Sequence, residues 1–151
     1  GSLSLLENLP SLPRDLWTSY ADELGASELL PEAQAVIEAP ELAGLFAPGT
    51  LAEVPLSADL GGKRLHGVID RLVVEGDEVL AVDFKSNRKE PATADQVPEG
   101  LLRQMGAYAD ALEQIFPGKT IRLAILWTHS ARLMELTQAS VMEALQRSGK
   151  A

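Results

Sequence analysis

Hydrophobic positions fall at helical spacing first, then alternate with a period of two, then return to helical spacing. Leu3, Leu5, Leu6 and Leu9 precede Pro10 in a helical, loop-rich beginning. Over residues 14–24, Leu16, Trp17, Tyr20 and Leu24 recur on one helical face, and Gly25 ends the run. Pro31 opens a short helix to Ala39 that gathers Ala35, Val36 and Ala39 on one side, and Pro40 stops it. Pro48-Gly49 marks a turn.

The period then changes. Leu51 to Leu56 begins a strand, and Gly61-Gly62 signals a hairpin. Lys63 to Val74 alternates, with one phase slip near Arg71, and Glu75 to Glu78 is the next turn. Val79 to Lys85 is an almost continuous apolar run, the pattern of a central strand covered on both faces. Residues 88–100 are polar and read as a loop. Leu101 to Phe116 is the clearest helix, with Leu101, Met105, Tyr108, Leu112 and Ile115 at steps of three or four and Pro117-Gly118 behind it. Ile121 to Trp127 predicts another strand, Arg132 to Leu136 a short edge strand, and Ser140 a cap for a last helix. The order predicts one mixed α/β domain: an antiparallel three-strand meander, then a helix and a strand, in a sheet flanked by helices.

Composition narrows the class. A chain of 151 residues is a single-domain length, and 13 Lys plus Arg against 22 Asp plus Glu gives a net charge of −9. That balance excludes a protein that holds nucleic acid by bulk charge alone. There is no cysteine, hence no disulfide framework and no Cys-ligated zinc or iron–sulfur site, which fits a reducing, cytoplasmic setting. No apolar run approaches the roughly 20 residues of a membrane span, and no signal peptide is legible. Gly1-Ser2 reads as an expression scar and the chain lacks an initiating Met, so a fragment of a longer protein is expected.

Candidate chemistry lies on the predicted strands and the clearest helix. Asp70 follows Gly67-Val68-Ile69 on the second strand, and Asp83-Phe84-Lys85 closes the third. Hairpin neighbours would set the two carboxylates side by side, where they repel unless a cation lies between them. Oxygen ligands with open positions suit Mg²⁺ or Mn²⁺. Lys85 is two residues from Asp83 and so shares its face. Two acids, a divalent metal and a lysine form a set for phosphodiester hydrolysis. Gln104 and Tyr108, four apart, share one helical face. Taken singly, each feature also reads as a strand-end cap, a surface ion pair or half-buried packing.

In combination they resemble a known family. Gly67-Val68-Ile69-Asp70, Val82-Asp83-Phe84-Lys85-Ser86-Asn87 and Gln104-Met105-Gly106-Ala107-Tyr108 are similar to the motifs of the PD-(D/E)XK nucleases, RecB-type branch. More narrowly, the stretch from Glu53 to Thr128 resembles the C-terminal nuclease domain of AddA-type helicase–nuclease subunits. The resemblance implies a restriction-endonuclease-like fold, with residues 1–50 as a helical part, 51–136 as catalytic core and 137–151 as a C-terminal helix. It implies a metal-dependent deoxyribonuclease, an exonuclease acting on the 3′-terminated strand during repair of double-strand breaks in bacteria. Asp70, Asp83 and the Phe84 main-chain carbonyl would hold Mg²⁺ (or Mn²⁺), and Lys85 would be the catalytic lysine. Gln104 and Tyr108 would position the strand or brace Lys85, with Ser86, Asn87, Arg71 and Glu53 in support. DNA would be delivered by a helicase motor of the parent chain, beside an AddB-like partner subunit.

Two departures stand out. The family branch carries a metal-binding histidine on an amino-terminal helix, whereas the chain has only His66 and His129. The helix over Leu3 to Leu9 resembles the helix on the C-terminal side of that histidine, which is therefore expected upstream, leaving this fragment weakly active or inactive alone. Ile69 replaces the signature proline, and the lack of cysteine separates the chain from relatives that hold an iron–sulfur cluster. A competing reading is a non-catalytic module of the same fold that docks a partner. A small-molecule enzyme finds no support, since no Gly-rich phosphate loop, nucleophile elbow or HExxH motif is present. Charge is uneven: residues 1–53 hold nine acids and one base, and the remainder is almost neutral. Lys63, Arg64, Arg71, Lys85, Arg88, Lys89 and Arg103 flank the motifs as candidate phosphate contacts.

Overall fold

The computed structural model describes residues 2–60 and 62–149. Three short helices come first: α1 (Ser2–Asn8), α2 (Trp17–Glu23) and α3 (Leu30–Glu38). Two 3-10 turns link α1 to α2, one links α2 to α3, and a six-residue 3-10 stretch over Pro40–Leu45 leads out. The helical run predicted over 14–24 is divided, its first turn being 3-10 over Arg14–Leu16. Then come β1 (Leu51–Leu60), β2 (Lys63–Glu75), β3 (Glu78–Lys85), α4 (Glu99–Ile115), β4 (Thr120–Trp127), β5 (Arg132–Leu136) and α5 (Gln138–Gly149). The last helix is capped three residues before the expected Ser140. The Thr137 hydroxyl accepts the Ser140 N–H at 3.2 Å, so Thr137 is the N-cap and Ser140 sits in the first turn. Gly61 of the predicted hairpin turn lies outside the described residues; Gly62 beside it takes φ +86°.

The five strands lie in chain order. β3 and β4 are parallel, joined by the α4 crossover, and every other pair is antiparallel. Strand alternation sorts the core onto two faces. Val79 and Ala81 of β3, with Ile121, Leu123, Ile125 and Trp127 of β4, pack under α4 and α5. Val82 and Phe84, with Ala124 and Leu126, pack under the amino-terminal helices through Leu5, Leu6, Leu9, Trp17 and Val36. Coverage on both sides explains why β3 reads as a continuous apolar run.

The ladder between β2 and β3 runs only from Glu75↔Glu78 to Arg71↔Val82. Beyond it β2 stays paired with β1, while β3 stays paired with β4 to Lys85↔Trp127. The sheet therefore forks at Asp70 and Asp83. The phase slip lies at the same place: Ile69 and Leu72 both face α4, while Arg71 between them faces the amino-terminal helices. On β1 the ladder skips Glu53, opposite Asp70, and Glu53 takes φ +49°. A non-glycine residue in that region is uncommon and marks a local break in the strand.

Candidate active site

Asp70 sits at the fork, where no ladder partner holds it. Its Oδ2 accepts the Phe84 N–H at 2.8 Å, tying the open end of β2 back to β3. Burial pushes its carboxyl up to about 6; the Phe84 N–H opposes that, the Asp83 carboxylate beside it adds to it, and Lys85 offsets part. Asp83 is only 6% exposed, and its Oδ2 has no hydrogen-bond partner. Lys85 Nζ lies 3.2 Å from that same oxygen, so the pair is a charge contact and not a directed bond. The Lys85 side chain keeps 33% of its exposure. Phe84 between them is turned into the opposite core, packed against Phe46, which fixes the backbone that carries both charged neighbours.

Gln104 and Tyr108 meet as their spacing predicts. Gln104 Nε2 donates to the Tyr108 hydroxyl at 2.8 Å, and that hydroxyl donates to the Val68 carbonyl at 3.4 Å. The ring lies so close to Gly67 that a Cβ there would stand 2.8 Å from Tyr108 Cε1. The pair thus braces β2 from α4, and its hydrogen bonds run to the strand and not to Lys85. Ser86 and Asn87 are exposed just past β3.

Arg71 corrects one expectation. It is 6% exposed, donates through Nε to the Leu45 carbonyl at 2.7 Å and lies over the Phe46 ring. The phase slip turns it to the far face, so it does not meet phosphate at the fork. Arg64 is engaged by Asp59 and Ser57 on the outer hairpin. His66 is exposed on β2, and His129, in the turn after β4, sits 3.3 Å from Glu32. Neither joins Asp70.

Glu7 was missed in the sequence. Leu5 and Leu6 of α1, with Leu9 just after it, are anchored in the core, and Glu7 at the margin of that face reaches Glu53 and the field of Asp70. Burial and the adjacent Glu53 carboxylate raise its carboxyl to about 7. Its one sequence signal is an acid embedded in a leucine-rich turn, too common to single out. Among the described residues, no group of three or more His, Cys, Asp or Glu is arranged to hold a metal ion.

The sequence model of the PD-(D/E)XK nuclease superfamily matches residues 6–147. The chain belongs to the PD-(D/E)XK nuclease superfamily. A crystal structure of a candidate exonuclease from Eubacterium rectale superposes with a TM-score of 0.60 at 12% identity, covering 97% of this chain and 63% of that one. This nuclease domain therefore spans under two thirds of that structure's length, and the likeness establishes the restriction-endonuclease-like fold. The structure of SSO0001 is more distant, with a TM-score of 0.40 at 15% identity over 98% of this chain and 74% of that one. Among curated proteins nothing matches. PD-(D/E)XK nucleases use divalent metal ions, and the residues at the fork fit one. The donors are oxygens, two carboxylates are crowded together, and Asp83 Oδ2 is buried without a hydrogen bond. No helix among the described residues is long and apolar enough to cross a membrane.

Proposed function

We propose that this chain is a Mg²⁺-dependent DNA exonuclease domain, part of a helicase–nuclease of the AddAB/RecBCD type that trims broken duplex ends, acting on the 3′-terminated strand. The observation that supports it most is the buried Asp83 oxygen without a hydrogen bond, placed between Asp70 and Lys85 at the fork. In this reading Asp70, Asp83 and the Phe84 carbonyl hold the ion, which activates water and screens charge developing on phosphorus. Lys85 holds the scissile phosphate and stabilises its added charge. Gln104 and Tyr108 keep the β2 arm at its distance from β3. Arg88, Lys89 and Arg103 remain as outer phosphate contacts, and an AddB-like subunit would complete the assembly.

The test is cleavage of linear duplex DNA with and without Mg²⁺ by the full parent chain. Replacing Lys85 with alanine should lower the rate by roughly 100-fold or more, the usual loss when a charge-stabilising group is removed. Equal cleavage by Lys85→Ala would reject the assignment. Calorimetric Mn²⁺ titration separates this reading from a non-catalytic docking module, since Asp83→Ala should abolish binding only if the fork holds the ion.

A further inference from the structure

The fork leaves the end of β3 short of ladder partners. Past Val82 the strand has lost β2, and β4 alone runs beside it, as far as Lys85↔Trp127. Two contacts outside the ladders hold its last residues. Asp70 accepts the Phe84 N–H on the side that β2 has left. On the other side Thr128, the first residue past β4, binds the Lys85 carbonyl twice: its N–H donates at 2.9 Å and its hydroxyl at 3.3 Å.

That hydroxyl has a second acceptor. Thr128 is 1% exposed, and its Oγ1 also lies 3.3 Å from Glu32 Oε2. One proton facing two acceptors is a three-centre bond, which confines the hydroxyl between them. Glu32 reaches this point from the first turn of α3, 96 residues away in sequence. Leu30, Ala33 and Val36 of that helix are buried in the same core as Phe84 and Leu126, so α3 is fixed on the sheet face beside the β3–β4 ends. The other Glu32 oxygen, Oε1, lies 3.3 Å from His129 Nδ1, so both oxygens of the carboxylate are engaged.

The contact lands on the backbone of the lysine that serves the fork. Lys85 Nζ stands 3.2 Å from Asp83 Oδ2, and a misplacement of about 1 Å in such a site can cost roughly 100-fold in rate. We propose that Thr128 and Glu32 are positioning residues for Lys85. Glu32 confines the Thr128 hydroxyl, and Thr128 fixes the Lys85 carbonyl and with it the root of the lysine side chain. Neither residue touches the DNA. The amino-terminal segment thereby contributes to turnover through one carboxylate. The proposal rests on the nuclease reading of the fork.

Mg²⁺-dependent cleavage of linear duplex DNA by the full parent chain tests it, at a temperature where circular dichroism shows every variant folded. Thr128→Val keeps the N–H and loses the hydroxyl. Its kcat should fall about tenfold with KM little changed, the pattern of one hydrogen bond lost from the transition state. Thr128→Ser, which restores the hydroxyl, should recover most of the rate. Glu32→Ala should also lower kcat, and the double variant should be no slower than Thr128→Val alone, because both act through one hydroxyl. A purely structural contact would lower the unfolding midpoint and leave kcat of the folded variants at the parent value, and that result would overturn the proposal. So would a change confined to KM, a Thr128→Ser variant as slow as Thr128→Val, or additive losses in the double variant. If Thr128→Val does not fold, Glu32→Ala decides alone, with an unchanged kcat rejecting the role. Lys85-dependent cleavage alongside any of these failures would leave the nuclease reading intact; cleavage indifferent to Lys85 would remove both.

Discussion

Asp70 carries the chemistry of the fork in its proton. Its carboxyl is raised to about 6 and that of Glu7 to about 7, both above the ordinary carboxylate range. Groups raised on folding contribute stability below their unfolded values, near pH 4, and lose it as pH climbs through the folded ones. In metal-free protein, the melting temperature of Asp70→Asn relative to the parent should therefore rise from about pH 4 to pH 7, because the variant has no proton to lose. A difference that stays flat or reverses would show that the two states bind this proton equally. Gly67 is the steric counterpart. An added methyl would meet Tyr108 Cε1 at 2.8 Å, and Gly67→Ala should destabilise by about 1–3 kcal/mol, the usual cost of overpacking, measured by denaturant unfolding.

At the scale of elements, the site depends on where ladders stop. The strands, the long helix and their order were legible because each carries a clean period: alternation in β2, a doubly covered run in β3, steps of three and four in α4. The nearness of Asp70 to Asp83 and Lys85 was legible because charges at the end of a buried run need a partner and hairpin neighbours set Asp70 beside Asp83. Arg71 was misplaced because a slip of one residue reverses every face beyond it, and local sequence does not say which side of the slip a residue falls on. Glu7 depends on contacts between distant segments, which no window of sequence contains. The same applies to Gly106. It lies where α4 crosses α5, and an added Cβ would stand 2.2 Å from the Val141 carbonyl oxygen. Backbone cannot yield as a side chain does, so Gly106→Ala should cost about 3 kcal/mol or more, at the upper end of overpacking, and should lower the unfolding midpoint further than Gly67→Ala.

The whole molecule separates charge from chemistry. The amino-terminal segment holds nine acids against one base, and it packs on the face of the sheet opposite α4 and α5. The remainder is almost neutral, and Arg71 is removed from its exposed bases by burial. Lys85, Arg88, Lys89 and Arg103 would neutralise about four phosphates at most, so the log–log slope of duplex DNA affinity against salt should have a magnitude of about 4 or less. A steep slope in a filter-binding or anisotropy titration would show a basic footprint that the fold does not display.

The fork has a mechanical consequence. Past Arg71↔Val82 the β1–β2 hairpin is a two-stranded arm, and such ribbons twist and bend more readily than the interior of a sheet. Opposite it, β3, β4 and α4 form a stiff block. The arm is moored to that block by side-chain contacts: Tyr108 to Val68, Gln114 to the Asp59 carbonyl, and Asp70 to the Phe84 amide. Leu56, Ala58 and Ile69 of the arm are also buried against α4, so the gap between arm and block is a jaw whose opening is set by apolar packing together with these side-chain latches.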